Sequence, residues 1–238
     1  MIDPVLDGKV VLVTGANNPY GVGAATARAF VRQGALVFLT YLRAANYPAD
    51  ADEAAGEAGR AFYSRQQMAP IEPVLDSIQA EGGRAEAWEA DLADPAIIPA
   101  LFDRAEAVLG LVDVLVNNAA YCVSDTFLPA EMLKTDSRSS AGTPMAPLNP
   151  RTLDQHFAVN ARAVELLTAE YARRHVARSA SWGRIINIST DGADCFPGEV
   201  SYGASKHAME GFSRSAAVEL GPLGITVNVV SLGMVRAV

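Results

Sequence analysis

Two kinds of hydrophobic pattern alternate along the chain. Six short runs, all but the third rich in β-branched residues, predict strands: "KVVLVTG" (9–15), "LVFLTY" (36–41), "AEAWEA" (85–90), "VDVLVNNA" (112–119), "GRIINIST" (183–190) and "GITVNVVS" (224–231). Between them, alanine-rich stretches near 22–33, 72–81, 95–109, 151–178 and 203–221 carry helical spacing. Apolar runs this short, buried on both faces and joined by helices, predict an α/β fold: a doubly wound parallel sheet with helices on both faces. No fixed-period repeat and no linker breaks the order, so residues 1–238 read as a single domain.

Two stretches depart from the compact pattern. Residues 44–71 are small, acidic and proline-containing, and residues 121–150 include "KTDSRSSAGTPMAPLNP". Both follow strands at the end where such sheets bind ligands, so each reads as an insertion that is either functional or mobile. A partly helical turn fits the first.

Bulk properties narrow the classes. Half of the 238 residues are hydrophobic, enough for a substantial core. A net charge of −8 argues against nucleic acid or an acidic membrane surface as the main partner. It leaves room for an anionic cofactor, because a helix N-terminus and a few arginines hold phosphate locally. Cys122 and Cys195 lie far apart in no metal-type spacing, which points to a reducing, cytoplasmic setting. No signal-peptide pattern and no run of about 20 apolar residues is seen. His156, His175 and His207 are scattered and form no metal-ligand spacing, so no metal is expected.

Chemistry enters with "SYGASKHAMEGF" (201–212), where Tyr202 and Lys206 are four apart in a helix-favouring stretch and share one face. A lysine charge ~6 Å from a phenol, at an effective dielectric of ~20, is worth roughly 2–3 kcal/mol, or about two pK units. That shift would make Tyr202 a proton donor and acceptor rather than a packing residue. "VLVTGANNPYGVGAATARAF" (11–30) adds a strand, a glycine-bearing turn and a helix, the local form of a dinucleotide site.

Taken in order, these motifs resemble the short-chain dehydrogenase/reductase family in its single-domain branch, with a motif set most similar to 3-oxoacyl-(acyl-carrier-protein) reductases. The family's Thr-Gly-x-x-x-Gly-x-Gly is matched by Thr14 and Gly15, then five residues, then Gly21-Val22-Gly23. The turn is two residues longer, and Pro19 removes a backbone donor. The resemblance implies phosphates over Gly21 and Gly23, with Gly15 and Val22 also at the cofactor and Asn17 or Asn18 at the adenosine ribose or its phosphate. "ADLAD" (90–94) implies Asp91 and Leu92 against adenine. "NNAA" (117–120) implies Asn118 and Ala119 beside the cofactor, with Asn117 tying strands together. "VNARA" (159–163) supplies Asn160, and "SYGASK" matches Tyr-x-x-x-Lys.

The family mechanism then implies hydride transfer between nicotinamide and a carbonyl or secondary alcohol, with Tyr202 handling the proton. Lys206 would lower the Tyr202 pKa and bind the nicotinamide ribose. Asn160 would hold a water feeding protons toward Lys206. A strand-end hydroxyl would bond the carbonyl oxygen: strand register selects Thr190, and the family's usual interval back from Tyr202 selects Ser189. Tyr41 stands where an NAD-type carboxylate would end the second strand, and Arg43 is placed for a 2′-phosphate, so NADP(H) is expected over NAD(H). Asp50 and Asp52 lie further along that loop.

The expected partner is a small carbonyl or alcohol, a 3-oxoacyl thioester among the candidates. The helical pattern at 161–179 fits a core or dimer face, consistent with a homo-oligomer, dimer or tetramer. The alternative is a non-catalytic nucleotide-binding regulator of the same fold. In "VSLGMVRAV" Leu232 replaces the family's proline, Val235 offers backbone to the carboxamide, and Ala237 stands near the usual threonine. The sequence given stops after the sixth strand, without the family's lid and seventh strand. It is therefore expected to be a fragment that binds cofactor better than it turns substrate over.

Overall fold

The computed structural model describes residues 4–43, 60–134, 137–139 and 143–233. Asp50, Asp52, Val235 and Ala237 lie outside these described residues. The chain divides into two compact units, one running to Asp91 and including Pro99–Ala119, the other Leu92–Ile98 and the described chain from Ala120 on.

In the first unit, β1 (Val10–Thr14), β2 (Leu36–Tyr41), β3 (Ala85–Glu89) and β4 (Val112–Asn117) pair in the order β3-β2-β1-β4. All of these pairings are parallel, and β1 is buried at every residue. That is why the sequence reads as an unbroken valine-leucine run rather than an alternation. Helices α1 (Val22–Val31), α2 (Arg60–Gln67), α3 (Glu72–Ala80) and most of α4 (Ile97–Leu109) connect the strands. Helix α2 is the helical turn expected within the first insertion.

The second unit contains β5 (Asp125–Thr126) and β6 (Ala146–Pro147), a two-stranded parallel pair built inside the second insertion. Helix α5 (Pro150–Phe157) follows, capped by Asn149, whose Oδ1 accepts the Thr152 N–H at 3.1 Å, with Pro150 at the first helical position. The single helix expected over 151–178 is interrupted. Residues Ala158–Arg162 form a π-helical turn before α6 (Ala163–Ala177) resumes.

Strands β7 (Gly183–Thr190) and β8 (Ile225–Leu232) pair in parallel along eight residues. Between them runs α7 (Val200–Leu220). Burial alternates strictly along β7, so Asn187 and Ser189 share the buried face, while Ile188 and Thr190 point the other way. All six predicted strands are present, and parallel strands joined by helices make the fold Rossmann-type. Among the described residues no helix is long and apolar enough to cross a membrane.

Candidate active site

The first unit holds the glycine-bearing turn. Gly15 has φ +73°, and a Cβ there would lie 2.6 Å from the Ala119 Cα, so only glycine lets β1 turn against that backbone. A Cβ on Gly23 would strike the Gly15 carbonyl and lie 2.7 Å from Asn118 Nδ2. Asn118 locks this corner: Nδ2 donates to the Thr14 and Gly15 carbonyls at 2.9 and 2.8 Å, while Thr14 Oγ1 accepts the N–H groups of Asn118 and Ala119. Asn118 thus ties this corner together through its amide nitrogen, next to the buried Asn117 of β4.

The longer turn is a built structure. The Gly21 N–H returns to the Asn18 carbonyl, and Arg28 donates to the Pro19 carbonyl at 3.1 Å. Tyr20 meets Phe62 edge to face. Asn17 Nδ2 donates to the carbonyls of Gln67, the last residue of α2, and Ala69, so its amide hydrogens are taken within the protein. Asn18 differs. Its Oδ1 accepts the Tyr20 N–H, but its buried Nδ2 has no partner among the described residues. Of the two asparagines, Asn18 keeps a donor for a bound molecule. Val22 opens α1, so N–H groups of a helix first turn lie beside it. The cradle, the free donor and the helix N-terminus fit a nucleotide pyrophosphate and ribose.

At the strand ends, Tyr41 pairs in register with Glu89 of β3. Arg43, expected to await a phosphate, is instead clamped by that carboxylate: Nη2 to Oε2 at 2.7 Å, Nε to both oxygens at 3.0 Å. The pair holds Glu89 below the usual carboxylate range, while desolvation and then Glu89 push the Tyr41 phenol up. A carboxylate from β3 thus lies beside the end of β2, bound to Arg43. Of the two residues expected at the adenine, Asp91 is exposed and Leu92 buried.

The second unit carries the proposed chemistry. Tyr202 and Lys206 sit one turn apart on α7, with Lys206 Nζ 5.9 Å from the Tyr202 ring centroid. Lys206 is 2 % exposed and donates to the Ile188 carbonyl at 2.7 Å. Burial lowers its pKa to about 8, so the ammonium keeps most of its charge at neutral pH. Phe196 and His156 meet the Tyr202 ring edge-on at 6.0 and 6.5 Å.

Strand direction separates the two candidate hydroxyls. Ser189 lies on the buried face and donates to Glu210 Oε1 of α7 at 2.5 Å, so it is a packing residue. Thr190, half-buried at the end of β7, accepts the Gly192 N–H and lies 3.4 Å from Asp191 Oδ1. Of the two, Thr190 alone is open to a ligand.

Asn160 sits in the π-turn and is completely buried. Its Nδ2 donates to the Tyr121 carbonyl at 2.8 Å and Ser205 Oγ at 3.0 Å, and its Oδ1 accepts the Tyr121 N–H at 2.8 Å. Both amide hydrogens are spent, so Asn160 fixes the chain at Tyr121 to α7 rather than donating to a held water.

His156 extends this scaffold. It bonds the Thr152 carbonyl through Nδ1 at 2.7 Å and accepts the Val123 N–H through Nε2 at 3.2 Å, which requires the neutral ring that burial also favours. His175 bonds the Leu223 carbonyl and His207 lies against Asp194, so each histidine has a structural partner. No metal-type cluster occurs among the described residues.

Residues 50–238 match the family model described as short chain dehydrogenase. The chain belongs to the short-chain dehydrogenase/reductase family. An uncharacterised oxidoreductase, YjdA, of Bacillus subtilis is 33% identical over 227 residues, covering 94% of this chain and 74% of that protein. A metagenomic short-chain oxidoreductase solved with NADP matches at TM-score 0.67 and 32% identity, covering 97% of this chain and 84% of the other. A 3-oxoacyl (acyl-carrier-protein) reductase from Agrobacterium tumefaciens, solved with NADP bound, matches at TM-score 0.71 and 25% identity, with 96% and 71% covered. As a short-chain dehydrogenase/reductase, the protein is an oxidoreductase that uses a nicotinamide nucleotide.

Asp125 and Glu199 escape sequence reading, as do the contacts made by Cys122 and His156, because their partners lie far along the chain.

Proposed function

We propose that the enzyme interconverts a small-molecule carbonyl and its secondary alcohol, with NADP(H) preferred over NAD(H) and a 3-oxoacyl thioester as the leading substrate class. The observation that carries this reading is the buried Lys206 ammonium held 5.9 Å from the Tyr202 ring. At that separation the positive charge favours the phenolate, so Tyr202 can give a proton to a carbonyl oxygen and take it back. Thr190 donates a hydrogen bond to the same oxygen. Lys206 holds its charge beside the phenol, and its link to the Ile188 carbonyl fixes the ammonium in place. Asn160 keeps Tyr121 and α7 in register around the reacting centre. A bound nicotinamide supplies or accepts the hydride.

Arg43 supports NADP(H). A 2′-phosphate carries more charge than Glu89 and can draw the exposed guanidinium away at little cost, because exposed pairs are weak. The NADP-bound 3-oxoacyl reductase relative supports the substrate class. Exposed Leu166 on α6, and Phe212 and Val218 on α7, support a homo-oligomer, and two free cysteines support the cytoplasm. The test is NADPH oxidation by the purified protein on addition of a panel of β-ketoesters, with NADH in parallel. Oxidation that depends on the ketoester is expected. Tight NADPH binding with no turnover of any carbonyl would favour a nucleotide-binding regulator instead.

A further inference from the structure

Helix α7 has no side-chain cap of its own. Its N-cap residue, Glu199, makes no side-chain bond to the first turn. The opening N–H groups of a helix lack intrahelical partners, and the positive end of the helix dipole there attracts an anion. One of these groups, Ser201 N–H, is taken by Asp125 Oδ1 at 2.9 Å, from a residue 76 positions earlier in the chain. Asp125 is 1% exposed, so water does not compete for the bond.

Glu199 grips the same insertion from its own side. Its Oε1 accepts from Ser139 Oγ at 2.9 Å, and its Oε2 lies 3.7 Å from Cys122 Sγ. Ser139 Oγ is further bonded to Ser124 and Thr143. Two buried carboxylates therefore join the 121–150 segment to the first turn of α7. Tyr202 follows the capped amide directly. Asp125 Oδ2 has no partner among the described residues, a cost that packing alone would not select.

We propose that Asp125 is a positioning residue for the Tyr202 hydroxyl, an N-cap supplied from outside the helix that fixes the first turn of α7. The proposal rests on Tyr202 being the proton donor of the proposed function. An uncapped first turn frays, and a displacement of about 1 Å at a reacting group can cost roughly 10²-fold in rate. Asparagine keeps a capping oxygen, whereas alanine removes it.

The experiment compares the full chain with Asp125→Ala and Asp125→Asn by amide hydrogen exchange, NADPH titration and turnover of the best β-ketoester across pH. In the unmutated protein the Ser201 amide should be protected by about 100-fold or more despite lying in a first turn. Asp125→Ala should lose that protection and at least about tenfold in kcat, with NADPH affinity within about twofold and Asp125→Asn restoring most of both. Unchanged kcat and pH profile in Asp125→Ala would overturn the proposal. So would an unprotected Ser201 amide in the unmutated protein, a readout that stands even if Asp125→Ala does not fold. Tyr202→Phe separates the two levels: if it keeps its turnover, the proton-donor role itself fails. If it loses turnover while Asp125→Ala does not, only the positioning role fails.

Discussion

Ser189 and Thr190 are adjacent, and motif spacing alone cannot choose between them. The pleat of β7 separates them, because one-residue alternation sends Ser189 to Glu210 and leaves Thr190 half-buried on the other face, which favours Thr190 as the proposed carbonyl-binding hydroxyl. Thr190→Val should lower kcat while leaving stability nearly unchanged. Ser189→Ala should cost about 1–3 kcal/mol of stability through the lost bond to a carboxylate, with a much smaller effect on kcat. Denaturant unfolding and steady-state kinetics separate them, and the reverse pattern would restore Ser189 to the site. The Arg43–Glu89 clamp yields a second residue-scale prediction. Glu89→Gln frees the guanidinium and should tighten NADPH several-fold relative to NADH, and Arg43→Ala should erase the NADPH preference. Fluorescence titration with both nucleotides measures the ratio. An unchanged ratio in both variants would remove this pair from cofactor choice.

At the scale of elements, period and composition locate the strands and most helices, because each has one strong face or a fully apolar run. They miss the π-turn at Ala158–Arg162, since an extra residue in a helical turn barely disturbs an alanine-rich pattern. That turn houses Asn160, which was legible as a motif residue but not in its contacts. The pair β5 and β6 and the Asp125 cap were illegible, because two-residue strands carry no periodicity and their partners lie far along the chain.

Helix α6 carries one further consequence. Burial alone raises the Glu165 pKa from 4.5 to about 7, and its Oε1 is without a partner among the described residues. The folded state therefore binds an extra proton between about pH 4.5 and 7. The resulting stability is present below this window and lost as pH rises through about 7. Glu165→Gln should raise Tm at pH 8 and change it little at pH 5. A Tm gain equal at both values would show that ionisation is not the cause.

For the whole molecule, the ordered motif set and the family match agree on a Rossmann-type oxidoreductase using a nicotinamide nucleotide. The sequence was most informative where chemistry is local, as in Gly15, Gly21 and Gly23 or in Tyr202 and Lys206 one helical turn apart. It was least informative about long-range partners: Glu89 beside Tyr41, Asn17 bonded to the carbonyls of Gln67 and Ala69, and Asp125 beneath the first turn of α7. The chain spans 74% of the Bacillus subtilis relative, and its net charge of −8 leaves phosphate binding to local donors such as Asn18 and the start of α1. In the proposed mechanism Tyr202 moves the proton while other residues hold the cofactor. It is tested most directly by measuring turnover and NADPH affinity together in Tyr202→Phe. Turnover should fall by roughly 10²–10⁴ with NADPH affinity within about twofold of the unmutated protein. Near-normal turnover in that variant, with NADPH still bound, would contradict it.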